Sequence, residues 1–224
     1  MSERPLLAVL TSLRVGADYL PSTIRGLERT GALEFPGDRV IYSDGPVGHA
    51  SFVGWKIVIL GASRLGPSLA GRAVLEHASD RPWMLFFEDD LDIAATAVAT
   101  MANAEVPEGA AFLSFYDPRE LPEGKAPGVY SAPILGSDGR GFWGSLALRF
   151  PGYTLRWLGA APRDEWAARP HAGDVAMSRV LLASPWPRYA IHVPSLVDHV
   201  GTVSSVAGRS EALPPNRRAR NFAR

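Results

Sequence analysis

An α/β fold is predicted by three features of the sequence. Short apolar runs alternate with helix-period segments through the first half of the chain. The first of these runs, residues 6–13, is continuously apolar, as in a strand covered on both faces. Two others run straight into an Asp-Gly-Pro turn or a row of acids. The expected architecture is a Rossmann-like, mostly parallel sheet flanked by helices on both faces, in a single domain. Ligands of such sheets sit beyond the carboxyl ends of the strands.

The elements follow in order. After the strand at 6–13 and a polar turn, residues 19–30 carry Leu20, Ile24 and Leu27 at helical spacing; Pro21 suits a first turn and Gly31 ends the segment. Residues 39–43 and 56–60 read as strands, the first running into Asp44-Gly45-Pro46. Residues 67–78 read as a helix with Leu69, Ala73, Val74 and His77 along one side. Residues 83–87 are a strand without a breaker, 93–104 an Ala-rich helix, and 111–116 a further strand. Three prolines between Asp117 and Tyr130 predict a surface loop. Residues 142–150 suit a strand or short helix, 174–182 a helix, and 190–193 a late strand. The expected division is one domain over 1–212 and a basic tail over 213–224, mobile or wrapped on the surface.

Bulk properties narrow the function classes. A chain of 224 residues, 46% hydrophobic, is long enough for one well-buried core. Lys plus Arg and Asp plus Glu are both 23, so no global charge draws the chain to nucleic acid or an anionic membrane. The tail carries Arg217, Arg218, Arg220 and Arg224 and no acid, which leaves 19 basic against 23 acidic residues, −4, in the remainder. Cysteine is absent, which excludes disulfides, thiolate metal sites and cysteine nucleophiles. No leader pattern and no run near the ~20 apolar residues of a membrane span is visible, so a soluble, cytoplasmic protein is expected.

Glu88-Asp89-Asp90, with Asp92 close behind, is the most informative cluster. Three acids at the end of an apolar strand repel one another unless a cation or bound ligand compensates. Carboxylate oxygens suit hard ions such as manganese or magnesium. Along an extended chain, Glu88 and Asp90 point one way and Asp89 the other. The alternative is that the acids solvate a strand end, with Asp92 capping the next helix. The cluster names a metal or phosphate site, not a reaction.

A second cluster, Pro194-Ser195-Leu196-Val197-Asp198-His199-Val200-Gly201 followed by Ser204-Ser205, resembles the C-terminal signature of GT-A glycosyltransferases, especially the N-acetylglucosaminyltransferase IV group. The resemblance extends loosely from Leu6 to Ser205. It implies a metal-dependent sugar transferase of GT-A fold taking a nucleotide-sugar donor, UDP-linked by analogy, with Mn2+ or Mg2+ as cofactor. It implies that Glu88, Asp90 and His199 hold the metal. Thr11, Ser12 and Arg14 match the nucleotide-binding start, and Asp44 the nucleoside contact. Glu88-Asp89-Asp90 matches the Asp-x-Asp metal motif with Glu in first place, so Glu88 and Asp89 are also candidate donor contacts. Gly144 and Ser145 match the glycine loop at the donor, with Trp143 beside the acceptor. Asp174 matches the general base of inverting members, although Gly173 stands where the family carries Glu.

Arg14 and Arg64 are candidate phosphate contacts, because guanidinium matches phosphate oxygens two at a time. His171 and His192 read as structural, and His49 follows a Gly-rich turn near the expected nucleotide. The acceptor is a hydroxyl, of a glycan or another molecule. Alternatives are a phage-type enzyme glycosylating a hydroxymethylated DNA base, with the basic tail on phosphates, or a binding module of the same fold without activity. A nucleotidyltransferase would need a glycine-rich basic loop near the start. Residues 11–18 offer only Gly16 and Arg14.

Overall fold

A computed structural model describes residues 3–12, 18–46, 51–117, 121, 124–134, 142, 144, 146–168, 172–201, 218–219 and 222–223. The elements run β1 (Leu6–Ser12), α1 (Leu20–Arg29), β2 (Asp38–Asp44), β3 (Lys56–Ile59), α2 (Pro67–His77), β4 (Trp83–Glu88), β5 (Leu91–Ile93), α3 (Ala97–Asn103) and β6 (Ala110–Ser114). They continue with β7 (Gly128–Pro133), β8 (Ala147–Pro151), α4 (Gly152–Ala160), α5 (Arg163–Ala167), α6 (Gly173–Leu182), β9 (Arg188–Val193) and β10 (Val197–His199).

The main sheet has the order β3-β2-β1-β4-β8-β6-β9-β7, and β10 pairs with β5 in a separate antiparallel ladder. The parallel expectation holds across β3, β2, β1 and β4. Beyond β4 the sheet is mixed. β8 runs antiparallel to both β4 and β6, β6 and β9 are parallel, and β7 is antiparallel to β9.

Period-two alternation gives the sheet two buried faces. Leu6, Ala8, Val40, Tyr42, Met84, Phe86 and Phe112 face a core closed by α2, α4, α5 and α6, through Val74, Leu155, Leu158, Trp166, Met177 and Leu181. Their neighbours Leu7, Val9, Ile41, Leu85, Phe87 and Leu113 face a second core closed by α1 and α3, through Leu20, Ile24, Leu27, Val98 and Met101. This is why the strands read as continuously apolar. Arg149 of β8 donates to the carbonyls of Met101 (3.0 Å) and Ala102 (2.8 Å) at the end of α3, and lies 4.1 Å over the Trp83 ring.

Two expectations are corrected, a helix over all of 93–104 with Asp92 as its cap and a loop running up to Tyr130. The segment 93–104 is not helical throughout. Leu91–Ile93 is β5, held by a partner strand more than a hundred residues downstream, and the helix begins only at Ala97. Asp92 therefore caps no helix; its Oδ1 accepts the Ile93 N–H at 3.0 Å. The proline-rich stretch ends in β7, an edge strand along β9, where proline is tolerated. In the tail, Arg218 Nη1 and Ala219 N donate to Asp198 at 2.8 and 2.7 Å, and Phe222 bridges to Ser195, so these residues are docked on the fold. Among the described residues, no helix is long and apolar enough to cross a membrane.

Candidate functional site

One edge of the sheet collects the chemistry-bearing segments. The parallel strands β1, β2 and β4 end there with Thr11 and Ser12, Asp44 and Glu88. β8 is antiparallel, so the chain that precedes it, including Gly144, enters at the same edge; Glu88 N donates to Leu146 O at 3.0 Å. β6 and β9 are parallel and end there too, which delivers residues 194–201. The strand order reverses between β1 and β4, where α/β sheets hold ligands.

The acids occupy this reversal point. Thr11 Oγ1 donates to Asp89 Oδ2 at 2.5 Å, across the β1–β4 gap. Thr23 of α1, fully buried, donates to Asp89 O at 2.7 Å and accepts from Leu91 N at 3.2 Å. That pins the bend at Asp89–Asp90 and turns Asp90 toward β10. Register sets His199 opposite Leu91, and Val200 N bonds Asp90 O at 3.0 Å. His199 Nε2 then lies 3.1 Å from Asp90 Oδ2, with both side chains 5% exposed. Gly201 packs directly on Asp90. A Cβ there would lie 2.2 Å from Asp90 Oδ2 and 2.9 Å from its Cγ.

Of the expected metal set Glu88, Asp90 and His199, two residues are brought together. Among the described residues, no group of three His, Asp or Glu side chains is placed to hold a metal ion. Asp90 and His199 are brought together and Glu88 does not join them. Glu88 is the last residue of β4, whereas Asp90 lies beyond the bend, so strand alternation no longer relates the two.

Asp44 is placed at the edge but faces inward. It is fully buried, and its carboxylate accepts N–H bonds from Leu65 (2.5 Å) and Gly66 (3.1 Å) and a 3.3 Å bond from Ser12 Oγ. It thereby holds the loop that leads into α2 and carries the exposed Arg64, whose Cγ packs near Gly45.

Asp174 lies in the first turn of α6, half-exposed. Its Oδ1 accepts from Val175 N at 2.8 Å and its Oδ2 from Gly144 N at 3.3 Å. One turn on, Ser178 Oγ accepts from Phe142 N at 3.1 Å, so α6 grips the glycine segment at two points. Gly144 has φ +84° and lies against Tyr116; a Cβ would meet that ring at 2.6 Å. Gly173 also has a steric reason. A Cβ there would sit 3.3 Å from Pro67 O, so a glutamate would press on the start of α2. The N-termini of α2 and α6 thus converge at this edge, and their dipoles favour an anion.

Residues outside the expected donor, metal and catalytic sets complete the frame, and of these Thr23 was missed by pattern reading. Ser195, 1% exposed, accepts from Asp117 N at 3.1 Å, and Leu196 N donates to Phe115 O at 2.8 Å. These bonds tie the end of β6 to the strand that carries His199. Thr23 had no signal beyond a lone polar residue on an apolar helix face. We expect Thr23→Val to cost about 1–3 kcal/mol in denaturant unfolding, because it strands a buried N–H at Leu91. His192 Nδ1 contacts Pro194 O at 2.8 Å and its ring packs 5.3 Å from Phe115, as a structural histidine does. Arg14, Trp143 and Ser145, with His49, His171, Ser204 and Ser205, lie outside the described residues.

No protein-family model matches the chain, and no curated protein matches it. Among solved structures it is similar to a glycosyltransferase involved in glycosylation of the major capsid of PBCV-1, at 13% identity and TM-score 0.47, covering 90% of this chain and 95% of that one. It is similar to the galactosyltransferase LgtC in complex with donor and acceptor sugar analogs, at 11% identity and TM-score 0.47, covering 88% of each chain. The apo-form glycosyltransferase GlyE of Streptococcus pneumoniae TIGR4 follows at 11% identity and TM-score 0.43; 83% of this chain spans 44% of that one. At these scores the likeness assigns neither donor nor reaction.

Proposed function

We propose that the chain is a GT-A-type glycosyltransferase. It moves a sugar from a nucleotide-sugar donor, UDP-linked by the resemblance, to an acceptor hydroxyl, with manganese or magnesium as cofactor. The buried Asp90–His199 pair at the strand-reversal edge carries this reading. Its donor set is one carboxylate oxygen and one imidazole nitrogen; the carboxylate suits either ion, and the imidazole favours manganese, a transition metal, over magnesium. Asp90 and His199 would hold the ion, together with oxygens of the bound donor. When bound, the cation would neutralise the charge that builds on the departing diphosphate.

The chain's own groups do the rest. Asp174 is the proposed general base. Its carboxylate, oriented by Val175 N and Gly144 N, takes the acceptor proton as the hydroxyl attacks the anomeric carbon opposite the leaving group, with inversion. Thr11 and Asp89 form the floor between β1 and β4. Asp44 sets the loop that presents Arg64 toward the diphosphate. The convergent starts of α2 and α6 add positive dipole ends.

Thermal unfolding with a panel of nucleotides and nucleotide sugars, with and without manganese, tests this. A ligand at ~100 times its dissociation constant should add about 2.7 kcal/mol. UDP or a UDP-sugar should raise the midpoint only with manganese. A folded protein that no nucleotide stabilises would refute the transferase.

A further inference from the structure

The opposite edge of the sheet holds a second concave site. There the starts of β2 and β3, the segment before β1, and the end of α2 line an open cavity of about 400 Å3. That volume lies in the range of small-ligand pockets. β1 has 7 residues, so at ~3.3 Å per residue the cavity lies roughly 20 Å from Thr11 and the acids. Its wall carries Arg4, Arg39, Lys56 and Arg81 against one acid, Asp38. Asp80, beside the wall and 3.6 Å from Arg81 Nε, is a second acid, so four cations against two carboxylates leave an excess of +2, within a chain of formal charge +0.

The charges are held in place. Asp38 engages Arg81 Nη1 at 2.6 Å and Arg4 Nη1 at 3.4 Å, and the Arg81 hydrogen bond holds its carboxyl below the usual range. Arg39 is fixed by backbone carbonyls. Its Nε donates to Gly54 O at 2.9 Å and its Nη1 to Ala32 O at 3.1 Å and to Leu33 O. None of these bonds cancels its charge. Lys56 is exposed, and its ammonium makes no hydrogen bond or ion pair among the described residues. His77, on the wall, contacts Tyr42 Oη through Nδ1 at 3.1 Å. Burial first, and then the charges of Lys56 and Arg81, hold its imidazole below the ordinary histidine range.

We infer that this cavity is a binding site for a compact polyanion, a molecule with two or more clustered phosphate or carboxylate groups. Arg4 brings a guanidinium to the wall, Arg39 a fixed positive charge with its Nη2 donors, and Lys56 a point charge. The site shares no residue with the acidic edge and does not depend on the transferase reading.

The test is a histidine NMR titration of the full chain at low salt, in EDTA, with pyrophosphate and with citrate separately. The His77 signals should shift along a saturable curve for at least one anion, and its titration midpoint should rise as the anion offsets Lys56 and Arg81. Saturation by pyrophosphate alone assigns phosphate chemistry, and by citrate alone carboxylate chemistry. Lys56→Glu and Arg4→Glu, both at exposed side chains, should each weaken binding about tenfold or more, Lys56→Glu with unchanged melting and Arg4→Glu with only the small loss expected of an exposed ion pair to Asp38. Linear drift without saturation, shifts confined to His199, or affinity unchanged in both variants would overturn the assignment.

Discussion

Asp174→Asn is expected to abolish most sugar transfer while leaving the fold and donor affinity intact. Asparagine is isosteric and keeps one acceptor oxygen, enough for the 2.8 Å bond from Val175 N, so only the longer 3.3 Å bond from Gly144 N to the second oxygen is given up. What is lost is the capacity to take a proton. A positioned general base contributes typically 10²–10⁴-fold, so single-turnover transfer should fall by about that factor with little change in the donor dissociation constant. Asp174→Ala adds a different defect, because it also removes the bond from Val175 N. If Asp174→Asn transferred sugar at the wild-type rate, the residue would be a helix cap and the base would lie elsewhere.

Gly201→Ala should be the most damaging single-methyl change at the site. The added Cβ would stand 2.2 Å from Asp90 Oδ2, 2.9 Å from its Cγ and 3.0 Å from its Cβ. Asp90 has little room to withdraw. It is 4% exposed, its carbonyl is bonded by Val200 N, and Thr23 holds the carbonyl of the residue before it. The carboxylate must rotate off His199 Nε2, or β10 must shift. Overpacking of this kind costs about 1–3 kcal/mol, readable in denaturant unfolding. The larger effect should be on the cation: manganese affinity in the presence of UDP should fall at least about tenfold, the loss expected when one of two protein ligands is misplaced. Wild-type manganese affinity in Gly201→Ala would mean that Asp90 does not ligate.

Much of the framework was legible because it is local. The strands at 6–13, 39–43, 56–60 and 83–87 and the helices at 19–30 and 67–78 are announced by apolar runs and by glycine and proline at their ends. β5 was missed because nothing within Leu91–Ile93 distinguishes a strand from a helix start; its partner β10 decides, and that pairing is non-local. α4 was missed because Gly152, Tyr153, Thr154 and Trp157 are poor helix formers. It forms by burying Leu155 and Leu158 and by anchoring Tyr153 Oη and Thr154 Oγ1 on the carbonyls of Ala110 and Ala111.

The site divides the same way. The residue types in 88–90, 174 and 194–201 were visible in sequence, and so was the expectation that His199 and Asp90 act together. The geometry brings that pair to 3.1 Å but leaves Glu88 outside it, since alternation holds only while the chain stays extended, and it bends at Asp89. Gly173 looked like a departure from the family pattern. Its contact with the start of α2 gives it a steric reason.

The measurement that tests the central claim most directly is electron paramagnetic resonance of Mn2+ titrated into the full chain with UDP. Wild type should bind one manganese with a nitrogen coupling from an imidazole. His199→Gln should lose that coupling and His192→Gln should keep it. Absence of bound manganese with UDP present, or an imidazole coupling that persists in His199→Gln, would contradict a cation site at Asp90 and His199.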